Sequence, residues 1–430
     1  MNKTYYAQIN EEAIRETLPN GLNVILIPKQ EMAQTYGVFT TDYGSIDQTF
    51  VPIDRSDYIT VPDGIAHFLE HKMFEKEDRD VFQDFTTQGA SANAFTSFTK
   101  TAYLFSSTNN LKENTEILLD FVQDPYFSEA SVEKEKGIIA QEIQMYNDQP
   151  DWRAFFGLIE TMYESHPVKI DIAGTIDSIQ SITKDDLYTC YHTFYHPSNM
   201  TFTLVGSFEP EDMLTFIKNN QDKKTFESLS EIKREYPNEP ESVATSERVI
   251  HMPVNMSRCM VGIKDHPETD PERFLEKELL AELILDFFYS KSGEYYQELY
   301  DLNLIDGSIG FESERQKQFA FSIVGGNTTD ADQFGQVVKR QFESFKNYTM
   351  SESDFERMKR KMVGELLSDL NDVSSIANEA SQYEMLGLDY FNIIPTLESL
   401  TVEKANDFLN SWVTDSNVAV FKVKPLSENE

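Results

Sequence analysis

Gly64-Ile-Ala-His-Phe-Leu-Glu-His-Lys-Met-Phe74 is the stretch around which the rest of the chain is organised. On a helix, His67 and His71 are four residues apart, so their imidazoles stand one above the other with Glu70 beside them. Two stacked imidazoles with a neighbouring carboxylate can hold a zinc ion and activate a water bound to it. The competing reading is a helix whose histidines merely pack in a core. With seven histidines in 430 residues, a chance His-x-x-Glu-His match is about a one-in-a-hundred event, which favours the metal.

A chain of 430 residues exceeds one ordinary domain and predicts two or three. Hydrophobic residues at 40% and aromatics at 12% let each of them bury a core. Lys and Arg number 37 against 73 Asp and Glu, a formal charge of −36. That balance argues against nucleic acid, whose binding needs cations to displace counterions from phosphates. It suits an acidic protein kept soluble by its charge, and an acidic interior surface would draw in cationic peptides. The two cysteines, Cys190 and Cys259, have no Cys-x-x-Cys spacing and read as buried thiols in a reducing compartment. The first eleven residues lack an apolar signal core, and no run approaches membrane-spanning length. A soluble, cytoplasmic protein with no membrane partner is expected.

Around the histidines, Leu22 to Ile27 reads as a strand after the Asn20-Gly21 turn, with Gly37 to Thr41 as its antiparallel neighbour. Val81 to Gln88 is a short helix ended by Gly89. Ala90-Ser-Ala-Asn-Ala-Phe-Thr-Ser97 and Thr101 to Ser106 have strand character. The first carries so little bulk that another backbone can approach it. It is either a tightly packed inner strand or an edge that pairs with an extended peptide. Asn110 to Phe121 and Ser128 to Tyr146 are helical, and the second carries Glu135 and Glu142, two turns apart on one face. Ile138, Ile139 and Ile143 make that helix partly buried, so an inward glutamate needs a partner, such as a zinc ion. His166-Pro167 and His196-Pro197 mark turns, and Thr201 to Gly206 closes the unit as a buried strand.

From residue 219 the composition shifts to Lys, Glu, Ser and Pro, marking an interdomain linker over 221–247. A second unit then repeats the first in outline. It has strands near 249–252, 258–263 and 319–324, helices over 271–288, 330–346, 351–369 and 401–412, and a closing strand over 417–423. Asn199 to Val205 and Asn417 to Val423 occupy matching places. The histidine pair has no counterpart in the second unit. The fold class expected is α+β, in two similar tandem domains (1–220 and 248–430), each a mostly antiparallel sheet packed with helices.

In these features the chain resembles the pitrilysin/insulinase metallopeptidases, the inverzincins, which include mitochondrial processing peptidase and half-size bacterial peptidasomes; the wording of its first half is most like the YmfH-like branch. His67-Phe-Leu-Glu-His71 matches the zinc helix, Glu135-Lys-Gly-Ile-Ile-Ala-Gln-Glu142 the second acidic helix, and Gly89 to Ser97 the substrate strand. Asp171-Ile-Ala-Gly-Thr175 and Tyr195-His-Pro-Ser-Asn-Met200 match further landmarks. The resemblance is strong over about residues 18–206 and architectural beyond the linker. It implies one Zn2+ held by His67, His71 and Glu142, with Glu70 as general base and then proton donor. It further implies Glu135 as a carboxylate orienting a ligand, Asn93, Ala94 and Phe95 pairing with the substrate backbone, and a chain forming half of a clam-shell chamber.

One departure bears on activity. Members active as single chains or homodimers carry an Arg and, a few residues on, a Tyr in the C-terminal half that reach the scissile carbonyl. Here Tyr300 and Asp306 stand at those places, and neither replaces an arginine donor. Either another residue substitutes or a second, homologous chain supplies the pair, and the resemblance implies a dimer, either a homodimer or a heterodimer with a zinc-lacking homologue. It leaves two functions: an endopeptidase acting on peptides or short unfolded segments, or a catalytically weak zinc-binding subunit or scaffold.

Overall fold

The computed structural model describes residues 2–227, 231–307 and 309–426; residues 228–230, within the expected linker, lie outside the described residues. The chain forms two compact units. The first comprises Met1–Ile143, Asp171–Glu235 and Leu367–Phe391; the second comprises Gln144–Ile170, Tyr236–Leu366 and Asn392–Glu430.

The first unit is built on strands β1 (Asn2–Tyr6), β2 (Glu11–Thr17), β3 (Asn23–Pro28), β4 (Thr35–Thr41), β7 (Ser91–Thr96), β8 (Thr101–Ser107) and β9 (Met200–Gly206), with a hairpin of β5 (Thr49–Phe50) and β6 (Ile59–Thr60) apart from them. The sheet order is β1-β2-β3-β9-β4-β8-β7. Every residue of β4 and β9 is buried, their threonines included, as befits central strands of a sheet covered on its faces. The expected pairing of Leu22–Ile27 with Gly37–Thr41 is corrected: β9 inserts between β3 and β4, parallel to the former and antiparallel to the latter. A central strand needs a hydrogen-bonding partner at each edge, and β9 supplies one to both β3 and β4.

The second unit holds β10 (Glu247–Met252), β11 (Ser257–Asp265), β12 (Ile309–Arg315), β13 (Ala320–Thr328) and β14 (Val418–Pro425) in the order β10-β14-β11-β13-β12. Only β10 and β14 run parallel. Order and polarity repeat those of β3-β9-β4-β8-β7. The repeat extends to single atoms. Asn199 Nδ2 donates to the carbonyls of Phe194 and Asp42, at 2.9 and 3.0 Å. Asn417 Nδ2 donates to those of Trp412 and Lys264, both at 2.9 Å. In each unit the same amide ties the end of a helix to the end of a strand before the last strand begins.

Packing does not follow chain order. Helix Pro150–Met162, from the first half of the sequence, covers β11 and β14. A Cβ on Gly157 would lie 2.1 Å from the Phe421 ring, and one on Gly262 would lie 2.7 Å from Met162 Sδ, so both glycines permit the close approach. Helix Val373–Leu386, from the second half, covers β4 and β9. Its Ser381 Oγ donates to Thr40 Oγ1 at 2.8 Å. Each sheet thus takes its cover from the other half of the sequence, an exchange that no local pattern in the sequence signals. Cys190 and Cys259 are buried and unbridged, and no described helix is long and apolar enough to cross a membrane.

Candidate metal centre

Helix Ile65–Met73 starts where two backbones cross. Gly64, at φ +83°, is its N-cap. A Cβ there would lie 2.4 Å from the Ala173 carbonyl oxygen, and one on Gly174, at φ +76°, would lie 2.6 Å from that of Asp63. Only glycine meets both demands. Ser178 Oγ adds a hydrogen bond to the Asp63 carbonyl at 2.9 Å. The segment 171–175 therefore works as the socket for the histidine helix. From that start nearly the whole helix is buried, Phe68 and Leu69 completely.

The helical period then sets the two imidazoles 4.5 Å apart between ring centres. His67 Nε2 lies 3.7 Å from one Glu142 oxygen and His71 Nε2 lies 3.5 Å from the other. One ligand atom from each of His67, His71 and Glu142 falls within 4.8 Å of the others, and among the described residues no second cluster of this kind occurs. Glu142 comes from helix Glu129–Asn147. Glu135, two turns earlier on that helix, places Oε1 3.1 Å from His71 Nδ1. A proton on Nδ1 donated to that oxygen leaves the Nε2 lone pair toward Glu142. His67 is held by packing instead, its Nδ1 buried and without a hydrogen-bond partner.

Burial pulls the His67 pKa down to about 3, so its ring is neutral near pH 7 and offers a lone pair. For His71 burial acts the same way, but the Glu135 hydrogen bond and the charges of Glu70 and Glu142 outweigh it and hold the imidazole above its usual value. Burial raises the Glu70 carboxyl. It also opposes charge on Glu135, yet the His71 hydrogen bond and the His71 and Lys72 charges hold that carboxyl below its usual range. Two carboxylates in one site are thus pushed apart, one toward proton exchange and one toward a fixed anion. Two imidazoles and a carboxylate converging on one point suit zinc with a position left open.

β7, which carries Asn93, Ala94 and Phe95, is the outermost strand of its sheet and pairs with β8 alone among the described residues. It is an edge, not an inner strand. The Lys100 ammonium stands 5.7 Å from the centre of the Phe95 ring. At the end of the strand Thr96 Oγ1 donates to Glu70 Oε2 at 2.9 Å. Neither Thr96 nor the fully buried Lys72 is singled out by sequence reasoning, although each directly follows a residue that is. Tyr300 is 52% exposed, and it and Asp306 belong to the second unit. The two His-Pro pairs do form turns: His166 and His196 each accept the backbone N–H two residues on.

The family model for the insulinase peptidases (peptidase family M16) matches residues 60–176, and that for the peptidase M16 inactive domain matches residues 181–362. An uncharacterized zinc protease of Bacillus subtilis strain 168, YmfH, is 47% identical over 98% of this chain and 99% of its own length. A crystal structure from Alicyclobacillus acidocaldarius, described as an M16-like peptidase, is 38% identical. It superposes with a TM-score of 0.93 over 97% of this chain and 99% of that one. A protease from Helicobacter pylori shares the fold at 19% identity, with a TM-score of 0.85 over 96% of this chain and 100% of that one.

Proposed function

Since the chain belongs to the insulinase peptidases, family M16, we propose that it is a zinc-dependent endopeptidase hydrolysing peptides or short unfolded segments held in an enclosed chamber. The observation that carries this reading is a second carboxylate, Glu70, outside the three-donor cluster but on the same helix as its two histidines. A structural zinc takes four protein ligands and has no use for a spare, buried acid beside it.

His67, His71 and Glu142 would hold the zinc, which supplies Lewis acidity to a water and to the peptide carbonyl. Glu70 takes the proton from the attacking water and returns it to the departing amine. Its burial favours that return, because a buried carboxylate gains by being protonated. Thr96 fixes the rotamer from which it works. Glu135 orients His71. The backbone of Asn93, Ala94 and Phe95 extends the sheet onto a substrate strand, so the peptide is recognised by main chain more than by sequence. We read 1–220 and 248–430 as two versions of one unit joined by 221–247, with the metal in the first only. The unbridged cysteines support a reducing compartment, the cytoplasm.

Tyr300 and Asp306, where active single-chain members carry Arg and Tyr, favour a second reading: a subunit that needs a homologous chain to complete the site. One experiment addresses both readings: metal analysis of the purified protein, with digestion of a peptide library in the presence and absence of a zinc-lacking homologue. About one zinc per chain and chelator-sensitive cleavage are expected. Zinc without cleavage under either condition would leave only the scaffold.

A further inference from the structure

Lys72 follows the second histidine and is completely buried. A lysine on a helix ordinarily runs its stem along the surface and keeps its ammonium in water. Burying the charge costs several kcal/mol unless acids compensate. Here two acids do. Glu75, one turn on and partly exposed, forms a short ion pair with it. Glu135, from the other helix, places Oε2 3.7 Å from Lys72 Nζ. The remaining oxygen of Glu135 is the one that meets His71 Nδ1, at 3.1 Å. One carboxylate is therefore divided between an ammonium and an imidazole, each fixing one of its oxygens.

We propose that Lys72 is a positioning residue of the metal centre. Its ammonium pins the Glu135 carboxylate so that Oε1 stays on His71 Nδ1 and the His71 Nε2 lone pair stays aimed at the ligand cluster. Glu75 could pair with a solvated lysine equally well, so it gives no reason for the burial. The contact with Glu135 is what requires the ammonium to lie inside. The helix that supplies both histidines thus also supplies, at the next position, the cation that controls their supporting carboxylate. The inference rests on the zinc reading above.

The test is a double-mutant cycle on zinc affinity, measured by chelator competition with the full chain, using Lys72→Met, Glu135→Gln and the pair. Thermal melting of each metal-free protein monitors folding. Lys72→Met is expected to weaken zinc about tenfold, within the range for groups that support a metal ligand. The pair should be no weaker than Glu135→Gln alone, because Lys72 acts through Glu135. Glu75→Gln should stay within about twofold of wild type. A structural role would lower the melting temperature without this non-additivity. Unchanged zinc affinity in a folded Lys72→Met, or additive losses in the cycle, would overturn the proposal. Should Lys72→Met not fold, Lys72→Gln carries the same test. Wild-type protein that binds no zinc would instead overturn the metal reading, and this proposal with it.

Discussion

Thr96 donates a hydrogen bond to Glu70 Oε2 at 2.9 Å, so the outer strand of the first sheet and the histidine helix meet at a carboxylate. Valine at position 96 keeps the shape and removes the donor. Hydrogen bonds to charged groups contribute about 1.5–3 kcal/mol, so Thr96→Val should lower kcat at least about tenfold while zinc content stays unchanged. Steady-state peptide hydrolysis with metal analysis checks this. Wild-type kcat in the variant would show that the bond does nothing for turnover.

Glu70→Gln separates binding the metal from using it. General acid–base catalysis contributes about 10²–10⁴-fold, and a loss in that range is expected with zinc still bound. A variant that cleaves as fast as wild type would remove Glu70 from the mechanism.

Two glycines on the site's helices should respond in opposite directions. Gly64→Ala places a Cβ at φ +83°, 2.4 Å from a backbone oxygen, and should destabilise by at least about 2 kcal/mol. Gly137→Ala, on the glutamate helix with nothing within 4 Å of the added carbon, should stabilise by about 0.5–1 kcal/mol. Denaturant midpoints of the two variants decide it. Equal effects would mean that the socket at Ala173 is not what holds the histidine helix.

His166 predicts a loss of stability in mild acid. Burial pulls its pKa to about 4 from the ordinary 6.5, with Glu239 opposing and Lys264 adding to the shift. Above pH 6.5 the residue is neutral whether the chain is folded or not. As pH falls from 6.5 toward 4 the unfolded chain takes up a proton that the folded one refuses, so stability falls, by up to about 3 kcal/mol. Below pH 4 it contributes no further change. His166→Asn, which keeps an acceptor for the Val168 N–H, should flatten urea midpoints between pH 7 and 4.5. An unchanged slope would point to other groups.

How much of this was readable in advance depends on the range of the interaction. The helical period alone sets His67, Glu70 and His71 on one face, and the same period pairs Glu135 with Glu142. Those residues are legible because their spacing is local. Thr96 and Glu70 are 26 residues apart on different elements, and no period encodes their contact. Lys72 looks like an ordinary surface lysine until its burial is known. Local composition and turn signals find β3, β4 and β9 as strands, but their order depends on which edges are left to pair after the whole sheet assembles. The likeness of the two halves shows as the paired Asn199 and Asn417 strands, while the exchange of covering helices leaves no local trace. It is a choice between two similar apolar faces.

That exchange bears on the protein's birth. Helix Val373–Leu386 covers β4 and β9, and with it come the hydrogen bonds from Asn378 Nδ2 to the Tyr36 hydroxyl and from Ser381 Oγ to Thr40 Oγ1. A ribosome reaches residue 386 more than 240 residues after Glu142. Until then β4 and β9 lack this cover, although both histidines, Glu70 and Glu142 have long been made. A chain broken off before residue 373 carries His67, Glu70, His71 and Glu142 but leaves β4 and β9 without this cover and open to quality control. The order of synthesis thereby delays completion of the first unit until a helix from the second half of the sequence has been made.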